Sequence, residues 1–98
     1  MNVYAVFRTR GGAWQKALAL EAQVDWATHA SFMDSLVSEG FVVLGGPLEG
    51  TDEVLLIVRS SSPEEIGDRL RQDPWNASGL LQIVRILPWT LRLGSLPW

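Results

Sequence analysis

His29 is the only histidine in the chain, and imidazole is the side chain that titrates nearest neutral pH. At about 100° per residue, it falls within an apolar stripe of a predicted helix over residues 26–39. That stripe comprises Trp26, Ala30, Met33, Leu36 and Val37. A buried ring nitrogen without a hydrogen bond costs about 1–3 kcal/mol, so His29 needs a partner. The titration range of imidazole suits a general acid or base, whereas the helix position alone favours a core histidine bonded to a backbone carbonyl.

Asp73 is the candidate catalytic partner of His29. It stands directly before Pro74 and Trp75, near the end of the second predicted helix, where the chain can approach the first helix. A carboxylate bonded to an imidazole fixes its tautomer and raises its basicity. An Asp-Pro pair is also an ordinary helix start, with the aspartate as cap and the proline at the first position. A purely structural role for Asp73 therefore stays open at this point.

Four further residues are predicted to shape a ligand pocket beside this pair: Trp26, Gly46, Pro47 and Trp75. The two tryptophans would form apolar walls for an aromatic or other planar ligand. The glycine would let a ligand approach the main chain closely. Core packing explains the tryptophans, and a tight turn explains the glycine, as alternatives.

Composition excludes several classes of site. The 98 residues include no cysteine, which removes disulfides, thiolate metal sites and cysteine nucleophiles. With a single histidine, zinc would depend on carboxylate or water ligands, so no metal is predicted. The formal net charge of −3, without a basic stripe, argues against nucleic acid as a partner. No serine stands in the Gly-x-Ser-x-Gly elbow of serine hydrolases.

The balance of apolar and charged residues indicates a folded protein away from membranes. Apolar residues make up 47% and charged residues 19%, which argues against disorder. No apolar run approaches the roughly 20 residues of a membrane span. The first positive charge follows the opening apolar run, the reverse of a signal peptide. We therefore expect one cytoplasmic domain over residues 1–98.

Local patterning places the elements that must position these residues. The predicted strands cover residues 3–7, 41–44, 54–58 and 80–93. Asp25 is predicted to cap the first helix with its side chain, and Gly40 to end it. Ser62 and Pro63 begin the second helix, where Glu65 would complete a capping box.

Glycine and proline mark the connections between these elements. The segment 45–47 is predicted to end the second strand, and residues 50–52 to form a hairpin turn. One short extra helical turn is expected over residues 73–78, and Pro88 is expected at a sheet edge or a bulge. Residues 14–24 show no clean period and fit either a short helix or an ordered loop.

The resulting order, β-α-β-β-α-β, predicts a ferredoxin-like α+β fold, a four-stranded antiparallel sheet with both helices on one face. The helices can cover only that face. The two middle runs, residues 41–44 and 54–58, are nevertheless apolar at every position and are predicted to be buried on both sides. A second copy of the same sheet would cover the other face, which predicts a two-fold dimer.

Taken together, the motifs resemble the YciI-like (YCII-related) family over most of the chain. They are His29-Ala30-x-Phe32-Met33-x-x-Leu36, Gly40, Gly45-Gly46-Pro47-Leu48, Asp73-Pro74-Trp75 and Pro88-Trp89. The resemblance implies a dimeric α/β-barrel of ferredoxin-like subunits, and a histidine–aspartate active site that falls on His29 and Asp73. A related enzyme type removes chloride from a chlorinated hydroxyquinone.

The leading hypothesis is a small enzyme without a cofactor, acting on a small cyclic or aromatic metabolite. His29 would act as general acid or base, Asp73 would orient it, and the chemistry would be of lyase, isomerase or dehydrochlorinase type. The protein would be a homodimer or a higher homo-oligomer. A non-catalytic module that binds or senses a small molecule is the alternative. A third hypothesis is chemistry like that of the antibiotic-biosynthesis monooxygenases, which share the fold.

Overall fold

The computed structural model describes residues 2–96, which form a four-stranded antiparallel sheet with helices packed on one face. The strands are β1 (Asn2–Arg10), β2 (Val42–Pro47), β3 (Glu53–Ser60) and β4 (Leu81–Pro88), and the helices are α1 (Trp26–Ser38), α2 (Pro63–Leu70) and α3 (Pro74–Ala77). The strand order is β2-β3-β1-β4. The predicted ferredoxin-like fold class is therefore confirmed. No helix within the described span is long and apolar enough to cross a membrane.

The main core lies between the sheet and the helices. Along β1, alternate side chains are buried, and antiparallel pairing sets Tyr4 opposite Val58 and Val6 opposite Leu56. The helices complete this core with Leu36 from α1 and with Ile66 and Leu70 from α2. The predicted stripe of α1 is wrong at one position. Val37 is 50% exposed, because it lies about 100° beyond Leu36 around the helix, and Phe32 packs against the core instead.

The helix ends agree with the predicted signals except at Asp25 and in the capping box of Glu65. Gly40 ends α1 with a φ of 78°, and the Ser62 hydroxyl accepts a hydrogen bond from the Glu65 N–H at 3.2 Å. Asp25 precedes α1 as predicted, but its side chain makes no capping hydrogen bond. Its φ of 59° is left-handed, whereas a side chain that caps usually sits on extended backbone. The Glu65 carboxylate accepts from the Ser61 N–H, one residue before the position that a capping box predicts.

The strand bounds differ from the predicted ones, most of all at the ends of β1, β2 and β4. β1 continues to Arg10, three residues past its predicted end. β2 continues through residues 45–47, which pair with β3. This is possible because β2 is an edge strand, where a proline removes no hydrogen bond from the sheet interior. β4 ends at Pro88 instead of continuing to residue 93, and it forms the other edge. In the stretch left open by the sequence, Leu20–Ala22 forms a single 3₁₀ turn.

The outer face of the sheet is not covered by any helix in the described chain. Register places Ala5, Ile57 and Leu87 on this face together with Leu44. Leu44 is 57% exposed, whereas Ile57 is buried among its neighbours on the sheet. The predicted burial of the middle strands on both sides is thus incomplete in one chain, and the predicted dimer stays a prediction.

Candidate active site

Asp73 is fully buried where α3 begins, and it binds three partners. Its Oδ1 accepts a hydrogen bond from the Trp75 backbone N–H at 2.9 Å, as expected of a helix cap. Both carboxylate oxygens lie 2.9 Å from the Nδ1 of His29. The Nη2 of Arg8 donates to Oδ2 at 2.8 Å. The structure therefore brings the two predicted catalytic residues into contact, and the same carboxylate also serves as the cap.

Arg8 is the partner that the sequence predictions missed. It follows Tyr4 and Val6 at period two on β1, so its side chain points to the helix-covered face. There it is only 1% exposed, and its Nη1 also contacts the Met33 sulfur at 3.8 Å. The alternation along β1 was the signal that would have placed this arginine inside.

The charge of Asp73 is set by its surroundings. Burial opposes ionisation most strongly, but the hydrogen bonds from His29 and Arg8, the charge of Arg8 and the Trp75 N–H together outweigh it. They hold the pKa of Asp73 below its usual range. An ionised carboxylate can only accept hydrogen bonds, so the contact assigns the proton between the two residues to Nδ1 of His29. In the neutral ring, the lone pair is then on Nε2.

The imidazole of His29 is held in place by aromatic contacts. It stacks on Trp75 with 3.8 Å between ring centroids and 7° between planes. Trp75 is itself fixed, because its indole N–H donates to the Val24 carbonyl at 2.6 Å. Within residues 2–96, Nε2 of His29 has no hydrogen-bond partner, but it is not fully buried. The free nitrogen is therefore accessible while the other is anchored.

A cavity of about 170 Å³ lies beside His29. All four predicted pocket residues line it: Trp26, Gly46, Pro47 and Trp75. The structure adds others that were not predicted, including Arg8, Arg10, Trp14, Met33 and Gly45. An apolar cavity of roughly 150 Å³ is known to hold benzene, so this space fits a single six-membered ring. No group of three metal-ligating side chains occurs in the described chain.

The two adjacent glycines in this wall are not equivalent. A Cβ at Gly45 would collide with the Leu56 side chain and lie 3.1 Å from the Leu55 carbonyl oxygen. A Cβ at Gly46 would have no atom within 4 Å. The wall therefore favours glycine at Gly45, the position that the sequence predictions did not select, because any larger residue must displace Leu56.

Comparison with known proteins identifies a family and related solved structures. The family model of the YCII-related domain matches residues 5–90 of the chain. A similar solved structure is 5-chloro-2-hydroxyhydroquinone dehydrochlorinase from Burkholderia phenoliruptrix AC1100, in complex with 2,5-dihydroxybenzoquinone. It shares 19% identity with this chain and has a TM-score of 0.62, over 94% of this chain and 95% of the other. At this identity the match shows a shared fold. No curated protein matches the chain significantly.

Proposed function

Because the chain belongs to the YCII-related domain family, we propose that it is a small enzyme in which His29 transfers a proton on a cyclic or aromatic substrate. Asp73 orients the imidazole, and no cofactor takes part. One observation carries the proposal. A histidine anchored through Nδ1 presents an accessible Nε2 beside a cavity of ring size.

The arrangement suits removal and return of a proton. Nε2 would take a proton from an acidic O–H, or from a C–H next to a carbonyl, and the electron pair left behind would move into the ring of the substrate. Returning the proton to another atom gives an isomerisation, and departure of a leaving group with its electron pair gives an elimination. The Asp73 carboxylate stabilises the imidazolium that forms in either case. The dehydrochlorinase that shares the fold supports a reaction of this class.

Hydrogen–deuterium exchange tests this proposal without knowledge of the natural substrate. Cyclohexanone and 2,5-dihydroxybenzoquinone serve as probes in D₂O, and NMR follows the loss of their C–H signals. The wild-type protein is expected to speed exchange of at least one probe by about 10²–10⁴ over His29→Asn, the usual contribution of a general base.

The matched control is Asp34→Asn, which alters an exposed residue of the same helix and should exchange like wild type. Equal exchange rates for wild type and His29→Asn with both probes would contradict the proposed enzyme activity. Binding of a probe without exchange would instead support the alternative, a module that binds or senses a small molecule.

We further propose that two copies pair through the outer faces of their sheets. Leu44 and Leu87 are exposed there beside the buried Ile57, and a second sheet would cover them. Sedimentation at micromolar concentration should give a dimer for the wild-type chain and a monomer for Leu44→Asp. A stable wild-type monomer under these conditions would contradict the pairing.

A further inference from the structure

The charged side chains around the cavity all carry the same sign. Among the described residues that line it, Arg8 and Arg10 are cationic and none is acidic. Asp73 lies behind this lining, with its two oxygens already bound to His29, Arg8 and the Trp75 N–H. The space beside Nε2 is therefore an apolar cavity whose charged lining residues are cationic.

Among residues 2–96, Arg10 has only one carboxylate partner, and that pair lies at the outer limit of an ion pair. Its guanidinium lies 4.3 Å from the ring centre of Trp14, and Trp14 meets Trp75 edge to face at 5.5 Å. The nearest carboxylate oxygen, from the largely exposed Asp52, is 4.0 Å from Nη1, beyond hydrogen-bond distance. A guanidinium placed over an aromatic ring has N–H groups that remain available for a planar anion. Arg10 is thus held against the cavity wall with unused donors.

Arg8 also has a hydrogen-bond donor without an acceptor. It is paired with Asp73, yet its Nε is buried and has no acceptor among residues 2–96. Buried polar groups almost always have a hydrogen-bond partner, and the exceptions occur at sites that a ligand or water completes. Both arginines therefore have more donors than the protein supplies acceptors.

We infer that the cavity selects a planar ligand with an anionic oxygen group on its ring, and that Arg10 is the specificity-determining residue. The carboxylate of an aromatic acid and the oxyanion of a phenol or enol share the required chemistry. This inference rests on the site of the proposed function, since it places the ligand beside His29. It adds that the ligand is an anion and that Arg10 recognises its charge.

Binding of paired probes tests the inference without any turnover. Benzoate is compared with the neutral benzamide, and 4-nitrophenolate at pH 8.5 with 4-nitroanisole, by quenching of tryptophan fluorescence. Wild type is expected to bind at least one anion about tenfold more tightly than its neutral partner. The ratio should fall towards one in Arg10→Gln and be partly restored in Arg10→Lys. The two pairs also separate carboxylate from phenolate recognition.

Arg69→Gln is the matched control. Arg69 also lies 4.3 Å from an aromatic ring centre, that of Phe41, but it does not line the cavity, so the variant should keep the wild-type ratio. No preference for either anion in wild type, absence of binding, or an unchanged ratio in Arg10→Gln would overturn the inference. If the anion preference depends on Arg10 but no proton exchange is found, the inferred anion selectivity holds and only the proposed enzyme activity is rejected.

Discussion

Strand β1 and helix α1 pass through two buried regions that differ in kind. At one end Tyr4, Val6 and Leu36 belong to an apolar core, which is stabilised by burial and by close packing. At the other end Arg8 and His29 converge on Asp73, a residue that is equally buried but polar. The first region tolerates changes that conserve volume, whereas the second depends on every partner, because a charge left unpaired in the interior is costly.

Because of this difference, the apolar region stabilises the fold, whereas the polar region orients the residues of the site. The apolar core needs no particular chemical group and would hold the sheet and helices together with other aliphatic side chains. The polar cluster adds little net stability over an apolar replacement of similar volume, since desolvation of its charges offsets their attraction. What the cluster supplies is the orientation of a histidine with one ring nitrogen bound and the other free.

The largest expected effect comes from removing the charge of Asp73. Asp73→Asn keeps the size of the side chain and its capping oxygen but leaves the Arg8 guanidinium buried without a counter-ion. We expect the free energy of unfolding to fall by about 3–5 kcal/mol in urea denaturation at pH 7. Asp34→Asn, an exposed site, should change it by less than about 0.5 kcal/mol. A similar small change in both variants would show that the two buried regions do not differ as described.

The same variant has a characteristic dependence on pH. Because the folded protein holds the pKa of Asp73 below its unfolded value of about 3.9, the carboxylate stabilises the fold above that pH. The stabilisation is lost as the pH falls through the folded pKa, where the wild-type side chain also becomes neutral. The difference between wild type and Asp73→Asn should therefore be constant from pH 7 to about 4.5 and narrow below it. A difference that stays constant at lower pH would assign the effect of Asp73 to something other than its charge.

The next effect is expected in the apolar region, from Leu36→Ala. Truncation of a buried leucine leaves a cavity and should lower the free energy of unfolding by about 2–5 kcal/mol. The site should be unaffected, because Leu36 does not line the cavity beside His29. As the only histidine, His29 gives unambiguous imidazole signals in NMR, which should match wild type in Leu36→Ala and move in Asp73→Asn. Displaced signals in folded Leu36→Ala would show that the regions are coupled.

The apolar region was largely predictable from the sequence, because its rules are local. Helical spacing placed Leu36, β-branched and aromatic residues placed β1, and the cap at Ser62 and the stop at Gly40 follow from single residues. Asp25 failed because its backbone took a left-handed conformation that no local rule required.

The polar region was predictable only in part, because its contacts join distant segments. His29 and Asp73 are 44 residues apart, and pairing them depended on the predicted topology and on the family resemblance. Arg8 was missed since an arginine at the end of an apolar strand is usually exposed. Arg10 lies three residues past the predicted end of the first strand, and Trp14 begins a stretch without periodicity, so neither was placed on the cavity wall.

The smallest expected effect tests the border between the two regions. Leu56 belongs to the apolar core and also lines the cavity, and a Cβ at Gly45 would collide with it. Gly45→Ala must therefore displace Leu56 or the edge strand, which should lower the free energy of unfolding by about 1–3 kcal/mol.

Gly46→Ala provides the comparison at the neighbouring position. Gly46 pairs with Leu55, so its Cβ would point to the outer face, where no atom lies within 4 Å. The change in stability should stay within about 1 kcal/mol and include a gain from the stiffer unfolded chain. Urea denaturation and the His29 signals measure both variants. If Gly45→Ala shifts the His29 signals and Gly46→Ala does not, packing at Leu56 transmits strain from the core to the site. If both substitutions change the stability and the His29 signals equally, the two glycines instead act only on the edge strand.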